Sequence, residues 1–270
     1  MEHNMTPLSL DDSFQFSCTK HVTCFNSCCR DLNQFLTPFD ILQLKNHLDI
    51  TSGKFLAHYT TQHIGPSSGL PITTLKPTKP SGLTCPFVTP SGCSVYKARP
   101  SSCRMYPIVR VIIRSRVTGK VRGHFQLLKE PHCRGFYQDK VQTVGEWIEA
   151  QGLAIYNKIN DMLMEIISLK NLHIPGPLDI RLRHMFQMAL YDLDTFRSNI
   201  LNKGLLDDLH LDAARLAAIK NDDIELLKLG HLWIKQTIIY SELRRENAGS
   251  SHSYGWRLDS PNEKLHPLKP

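Results

Sequence analysis

No cysteine follows Cys133 in this 270-residue chain, although eight occur up to that point. Several other absences narrow the reading. No stretch approaches the roughly 18 uninterrupted apolar residues that a membrane-spanning helix requires. Ahead of Cys18 there is neither a basic n-region nor an apolar h-region, so a cytoplasmic protein without a signal peptide is expected. There is no GxGxxG, no GxxxxGK[ST] and no HExxH, which leaves dinucleotide binding, phosphate cradling and zincin chemistry without support. With 41% hydrophobic, 8% aromatic and 21% charged residues, the chain has enough apolar material for a packed core. Its net charge of +7 and pI near 9.0 permit anionic partners without demanding them.

The eight thiols are therefore the chemical signal. In a reducing compartment stable disulfides are rare, so a cluster of cysteines asks for another explanation. The spacings are Cys18-x5-Cys24-x3-Cys28-Cys29, then Cys85-x7-Cys93-x9-Cys103, then Cys133. Thiolates suit zinc and the iron of sulfide clusters. Several ligands on one short loop, completed by distant ones, is the usual way such a site closes. The side chains of Cys28 and Cys29 leave the backbone in different directions, so the two serve different metals, or one ligates while the other is structural. A single buried cysteine is more often a small core hydrophobe than a ligand. Eight within 116 residues favour metal over that alternative, over four disulfides, and over a catalytic nucleophile, for which no Cys/His signature is present.

The chain around these cysteines divides into a cysteine-rich front and a helical back. Thr37-Pro38-Phe39-Asp40 combines a capping hydroxyl, proline at the first helical position and a carboxylate at the third, with Ile41, Leu42, Leu44 and Leu48 as the apolar face. A second helix is expected to start near Ser52, and an extended loop is expected over residues 65–82, where Pro and Gly interleave with Ser and Thr. Tyr106 to Arg116 reads as a strand, turned at Thr118-Gly119-Lys120 and returning over Val121 to Leu128. Thr143-x-x-Glu146 is a capping box ahead of a helical pattern to about Leu169. Ile174-Pro175-Gly176-Pro177 breaks it, and Leu182 to Phe196 forms a second helix. A third follows near Asp212–Lys220, and a fourth starts at Asn221-Asp222-x-x-Glu225 and ends near Arg245. The expected fold class is thus α+β: a loop-and-hairpin metal-binding domain over 14–138, an all-helical region over 139–246, and a polar tail over 247–270.

One segment is similar to a known family. Cys85-Pro86-Phe87, Cys93-Ser94-Val95-Tyr96-Lys97-Ala98-Arg99-Pro100, Cys103-Arg104 and Tyr106-Pro107 follow the C-x-F-L…C-x-I-Y-x-x-R-P-x-x-C-R-x-Y-P signature of the YkgJ-type cysteine-cluster proteins, also called the CxxCxxCC putative zinc- or iron-chelating domain. Cys24, Cys28-Cys29-Arg30, Thr37-Pro38-x-Asp40-Ile41 and Cys133-Arg134-Gly135 extend the resemblance over about residues 16–137. The first cluster departs from it, with x5 and x3 where the family has x2 and x2. The resemblance implies an iron–sulfur cluster or Zn(II) as cofactor, and a related cysteine pattern occurs in flagellin lysine methylases. It fixes no reaction, and whether the chain is an enzyme stays open between an iron–sulfur redox or protein-modifying enzyme and a zinc-stabilised interaction module.

The candidate ligands are Cys18, Cys24, Cys28, Cys29, Cys85, Cys93, Cys103 and Cys133. Arg99 and Arg104 are candidates to offset thiolate charge and donate to sulfur. Ten Lys or Arg against one acidic residue, Glu130, lie between Lys97 and Arg134. Arg110, Arg114 and Arg116 are expected on a solvated face of the hairpin, alternating with Val109, Val111 and Ile113. His21 and His132 read as loop histidines, and Tyr96 and Tyr106 as packing over the cysteine loops. Met162, Met164, Met185 and Met188 read as helix packing, and Asp207-Asp208 and Asp222-Asp223 as helix caps. A protein partner or protein substrate is expected; few aromatics interleave the basic residues, which argues against nucleic acid.

Overall fold

Thr37 begins the first helix as its sequence predicts. Its hydroxyl accepts from the Asp40 amide at 3.2 Å, while its own amide donates to the Asp40 carboxylate at 2.9 Å. The pair closes a capping box over α1 (Pro38–His47). Phe39, Ile41, Leu42 and Leu44 of this helix are buried, and Thr51 caps α2 (Ser52–Tyr59) in the same manner.

The computed structural model describes residues 4–246 apart from 31–32, 67, 79–82, 115–120, 175 and 207–210, together with a short strand pair at Trp256–Arg257 and His266–Pro267. It is α+β, with strands gathered in the front of the chain and helices in the back. The chain folds as two compact units, residues 1–65 with 71–168 and residues 66–70 with 169–270.

In the first unit β1 (Asn4–Leu8), β7 (Ile108–Arg114) and β8 (Val121–Lys129) form an antiparallel sheet in the order β1-β8-β7. The registers Asn4↔Lys129 and Ile108↔Leu127 make β8 the central strand. The hairpin is the expected one, with its turn outside the described residues; β1, at its edge, carries no strand pattern readable in isolation. A smaller pair joins β2 (Ser13–Gln15) to β9 (Val141–Thr143). It brings Phe14 and Phe16 edge-on to Trp147, at centroid distances of 6.0 and 5.7 Å. Tyr106 and Phe136 close the same cluster around Phe16, and the Trp147 indole N–H donates to the Met105 carbonyl at 2.9 Å. Truncating such a buried ring typically costs about 3–5 kcal/mol, so this cluster is a principal anchor of the unit.

Three expectations change. The loop expected over 65–82 contains half of a hairpin: β3 (Thr60–Ile64) pairs with β4 (Pro71–Leu75), whose alternate residues Pro71, Thr73 and Leu75 are buried. Threonine-rich alternation carried that strand under a Pro-rich composition. The helix expected from Thr143 to about Leu169 is two helices, α4 (Val144–Ala150) and α5 (Leu153–His173), because Gly152 adopts φ +62° and closes the first. The helix expected over 182–196 is also two, α6 (Ile180–Leu190) and α7 (Leu193–Lys203), broken at Tyr191-Asp192. Between α3 (Ser101–Met105) and these helices the capping box at Thr143 and Glu146 forms as read.

The second unit is helical. After α7 come α8 (Ala213–Asn221), capped by Asp212, and α9 (Asp223–Glu246), where the Asp222 carboxylate accepts from the amides of Ile224 and Glu225. Asp207-Asp208 lies outside the described residues. Phe186, Ala189, Leu190, Phe196, Leu226, Leu227, Ile234 and Ile238 are buried, and Phe196 stacks on Trp233 at 5.5 Å. A β-carbon at Gly230 would strike the Ala189 carbonyl oxygen, so glycine is what lets α9 approach α6 this closely. Met185 and Met188 on α6 are half-buried, as are Met162 and Met164 on α5 of the first unit. The tail expected from residue 247 lies outside the described residues except for the strand pair named above. No helix among the described residues is long and apolar enough to cross a membrane.

Candidate metal centre

The cysteines sit on loops and very short elements, so their positions are set by hydrogen bonds made elsewhere. Cys18 and Cys24 flank a loop pinned by buried Val22. After Cys24 the chain turns through Asn26, whose φ of 65° is in the left-handed region that asparagine tolerates, into a 3-10 turn over Ser27–Arg30. That turn places Cys28 Sγ 4.0 Å from Cys29 Sγ. Cys85 precedes a two-strand ribbon, β5 (Val88–Thr89) and β6 (Gly92–Cys93), in which Val88 pairs with Cys93. Arg99 and Pro100 are extended, with ψ of 147° and 155°, and they lead into α3, which carries Cys103.

One buried carboxylate connects two of these pieces. Asp40, fully inaccessible, accepts from the Ser101 amide at 2.7 Å and the Ser101 hydroxyl at 3.2 Å while it caps α1. The first helix is thereby tied to the start of the helix bearing Cys103. Burial pushes the Asp40 carboxyl above its ordinary range, and the donors of Thr37 and Ser101 act against that rise. Gln34 adds a second tie, accepting the Cys103 thiol at 3.3 Å and donating to Ser102 Oγ at 2.5 Å.

All eight cysteines are free thiols. They are mutual electrostatic neighbours: Cys18 senses Cys28, Cys24 and Cys133, whereas Cys29 senses Cys28, Cys85 and Cys103. Desolvation is the largest cause that raises Cys18 to about 11 and Cys103, crowded although it retains open surface, to about 12. It raises Cys85, Cys93 and Cys133 as well. In the vicinal pair, the contact between the two thiols lowers one, Cys28, and raises the other, Cys29. Among the described residues no three Cys, His, Asp or Glu donors lie close enough to share one ion. The thiols are electrostatic neighbours without yet being placed to share an ion.

The donor set fits iron or zinc by chemistry, since every member is sulfur and those metals take thiolate sets. A second observation agrees. The Tyr106 hydroxyl is buried, sits beside the Cys133 thiol and the Glu130 carboxylate, and makes no well-formed hydrogen bond to either. A thiolate at Cys133 would give that hydroxyl its acceptor. The Arg134 amide already donates to Cys24 Sγ at 3.1 Å, an N–H···S contact of the kind that supports metal-bound sulfur.

The basic side chains behave differently from one another. Arg104 is committed to backbone: Nε donates to the Arg99 carbonyl at 3.0 Å, Nη1 to the Gln151 carbonyl at 2.9 Å, and Nη2 to the Lys97 carbonyl. It holds the Cys93–Cys103 connection against the end of α4. Arg99 bonds the Tyr96 carbonyl and the Gln151 side chain, yet it also senses Cys103 and Cys93. Arg110 is not on a solvated face. It forms a bidentate ion pair with Asp161 of α5 at 2.6 and 2.9 Å, and its side chain is only 16% exposed. Val111 and Ile113 take the open face instead, at 36% and 52% exposure. The Asp161 carboxylate meets the side of β7 that turns inward, a pairing that local alternation does not reveal. The Arg114 side chain and Arg116 lie outside the described residues. Tyr96 is 59% exposed beneath the Arg99 guanidinium rather than packed over a cysteine loop. Tyr106 does pack, against Phe16. His21 is exposed, and His132 lies 3.7 Å from Glu130 on the loop before Cys133. Asp40 and Gln34 are the residues that sequence reasoning does not place at the site, since the Thr37-x-x-Asp40 capping pattern names Asp40 only as a cap; Tyr106 is expected over the cysteine loops, but only as packing.

Residues 17–134 match the model of one family, CxxCxxCC, described as a putative zinc- or iron-chelating domain. The match covers every cysteine in the chain, and it is the family whose signature the Cys85–Pro107 segment resembles. No curated protein and no solved structure matches the chain.

Two outcomes follow from this geometry. Asp40→Ala leaves the Thr37 and Ser101 amides without their acceptor, and each buried unmet donor costs about 1–3 kcal/mol. Urea unfolding will show that loss, and metal content will fall because Cys103 is no longer positioned; wild-type values for both would contradict the role given to Asp40. Metal uptake will also depend on pH with a definite sign. Thiols raised above neutrality hold their protons at pH 7, so binding must expel them, and affinity rises with pH by about tenfold per unit for each proton released. A pH-independent affinity between pH 6 and 8 would contradict the raised thiols.

Proposed function

We propose, on the premise that residues 17–134 carry the CxxCxxCC domain, that this chain chelates metal through its thiolates and that the resident centre is an iron–sulfur cluster. The observation that carries the reading is the all-sulfur donor set: eight free thiols on adjoining loops that sense mainly one another, with carboxylates entering only as Glu130 near Cys28 and the capping Asp40 near Cys103. Such a set accommodates the iron of sulfide clusters, whose potential is tuned by N–H···S contacts and by solvent exposure. Both are features of this chain, in the Arg134 amide at Cys24 and in the exposed residues Cys18, Cys28 and Cys103. Exposure near a cluster allows electrons or a protein substrate to approach it, so a redox or protein-modifying role follows from the same reading, with a protein as partner.

A second reading has its own support. Between residues 17 and 107 the segments that carry the cysteines hold only short elements, such as the four-residue turn at Cys28-Cys29 and the two-residue strands at Cys93. A zinc ion would stabilise such loops outright, and the chain would then be a protein-interaction module without catalysis.

Purification without oxygen separates the two. The iron–sulfur reading expects a coloured protein whose iron and acid-labile sulfide are present in comparable amounts, bleached by air or by reductant. A colourless protein that holds stoichiometric zinc and no labile sulfide would overturn it and select the second reading.

A further inference from the structure

The first cysteine loop is tied at its two ends to two different parts of the fold. At the front end, the Ser17 amide donates to the Gly135 carbonyl at 3.0 Å, and Cys24 Sγ accepts from the Arg134 amide. A β-carbon at Gly135 would lie 2.5 Å from the Phe16 ring, so only glycine allows the Cys133 loop to close this tightly on the strand leading to Cys18. At the back end, the Asn26 side chain donates to the Thr89 carbonyl at 2.9 Å, and the Cys29 carbonyl accepts from the Cys85 amide at 2.8 Å. Phe25 lies over Gly92, whose φ of +122° belongs to the turn that delivers Cys93. The chain between Cys18 and Cys29 therefore spans two anchors, the 133–135 loop and the 85–93 ribbon.

The thiols sort with their anchors. Cys18, Cys24 and Cys133 neighbour one another on the first anchor. Cys29, Cys85, Cys93 and Cys103 do so on the second. Cys28 stands between, 4.0 Å from Cys29 Sγ and within electrostatic reach of Cys18 on one side and of Cys85, Cys93 and Cys103 on the other. Structural zinc and iron–sulfur cubanes each take about four thiolates. The second group already supplies that number without Cys28, and the first lacks one ligand, which Cys28 is placed to give through its reach to Cys18.

We propose that the eight thiols build two separate four-cysteine metal sites, Cys18, Cys24, Cys28 and Cys133 in one and Cys29, Cys85, Cys93 and Cys103 in the other, divided at the vicinal pair. The inference rests on the metal-binding reading above and deepens it. Backbone hydrogen bonds already tie each group's loops together, and metal binding would draw the thiols in from there. It also gives the two adjacent cysteines distinct roles: one short turn serves both centres and couples them.

Native mass spectrometry and cysteine mapping on the full chain test it. The wild-type protein, loaded with zinc or anaerobically with iron and sulfide, is weighed intact. It is then loaded with a single equivalent, alkylated under native conditions and mapped by peptide mass. Two ions or two clusters per chain are expected, and at one equivalent the protected cysteines should belong to one set or the other without mixing. The variant Cys24→Ser with Cys133→Ser should retain one centre, and so should Cys93→Ser with Cys103→Ser, each checked by far-UV circular dichroism. One centre per wild-type chain, or a protected set drawn from both groups, overturns the division while metal binding stands; the wild-type measurements decide this even if a variant fails to fold. No uptake of either metal by the wild-type chain would overturn the proposed function itself.

Discussion

A carboxylate with no access to water organises the cysteine-bearing half of this protein. Asp40 completes the capping box of α1 and at the same time receives the amide and hydroxyl of Ser101, at the start of the helix that carries Cys103. Removing a charge from water is costly, and it is tolerated here because amide donors from two helix starts converge on it. Two sequence motifs far apart in the chain, Thr37-Pro38-x-Asp40 and Arg99-Pro100-x-x-Cys103, are thus halves of one hydrogen-bonded unit.

The same logic extends around the site. Loops cannot position thiols through regular structure, so each is fixed by a specific contact to a more rigid element. Arg104 clasps three carbonyls, the Arg134 amide meets Cys24, and Gly135 admits Phe16. Beneath them the Phe14, Phe16, Trp147, Tyr106 and Phe136 rings form the packed base on which the loops rest. Arg104, a candidate to donate to sulfur, is engaged with backbone carbonyls, whereas Arg99 stays within electrostatic reach of Cys93 and Cys103. Loop architecture thus falls to Arg104, and of these two arginines it is Arg99 that has two thiols among its electrostatic neighbours.

Much of this was legible in the amino-acid order, for physical reasons that differ by element. Helix starts were readable because a cap is a local event: Thr37, Thr143 and Asp212 each act within three residues of themselves. The β7–β8 hairpin was readable from its Val and Ile content. Breaks inside long apolar patterns were not, since Gly152 and the Tyr191-Asp192 junction leave the helical periodicity intact on both sides. The inward turn of Arg110 depends on Asp161, 51 residues away, which no local pattern encodes. The ligand candidates were visible as a list of cysteines. Their sorting depended on contacts such as Cys29 with Cys85 and Cys24 with Arg134, which arise only in the fold.

The central claim is that the thiols of residues 18–133 hold metal. The most direct measurement is the intact mass of the full chain under native conditions, before and after acid treatment. A mass excess equal to metal, or to iron with sulfide, that disappears on acidification is the predicted result. The bare polypeptide mass, with all eight thiols freely alkylated in the native protein even after metal is supplied, would contradict it.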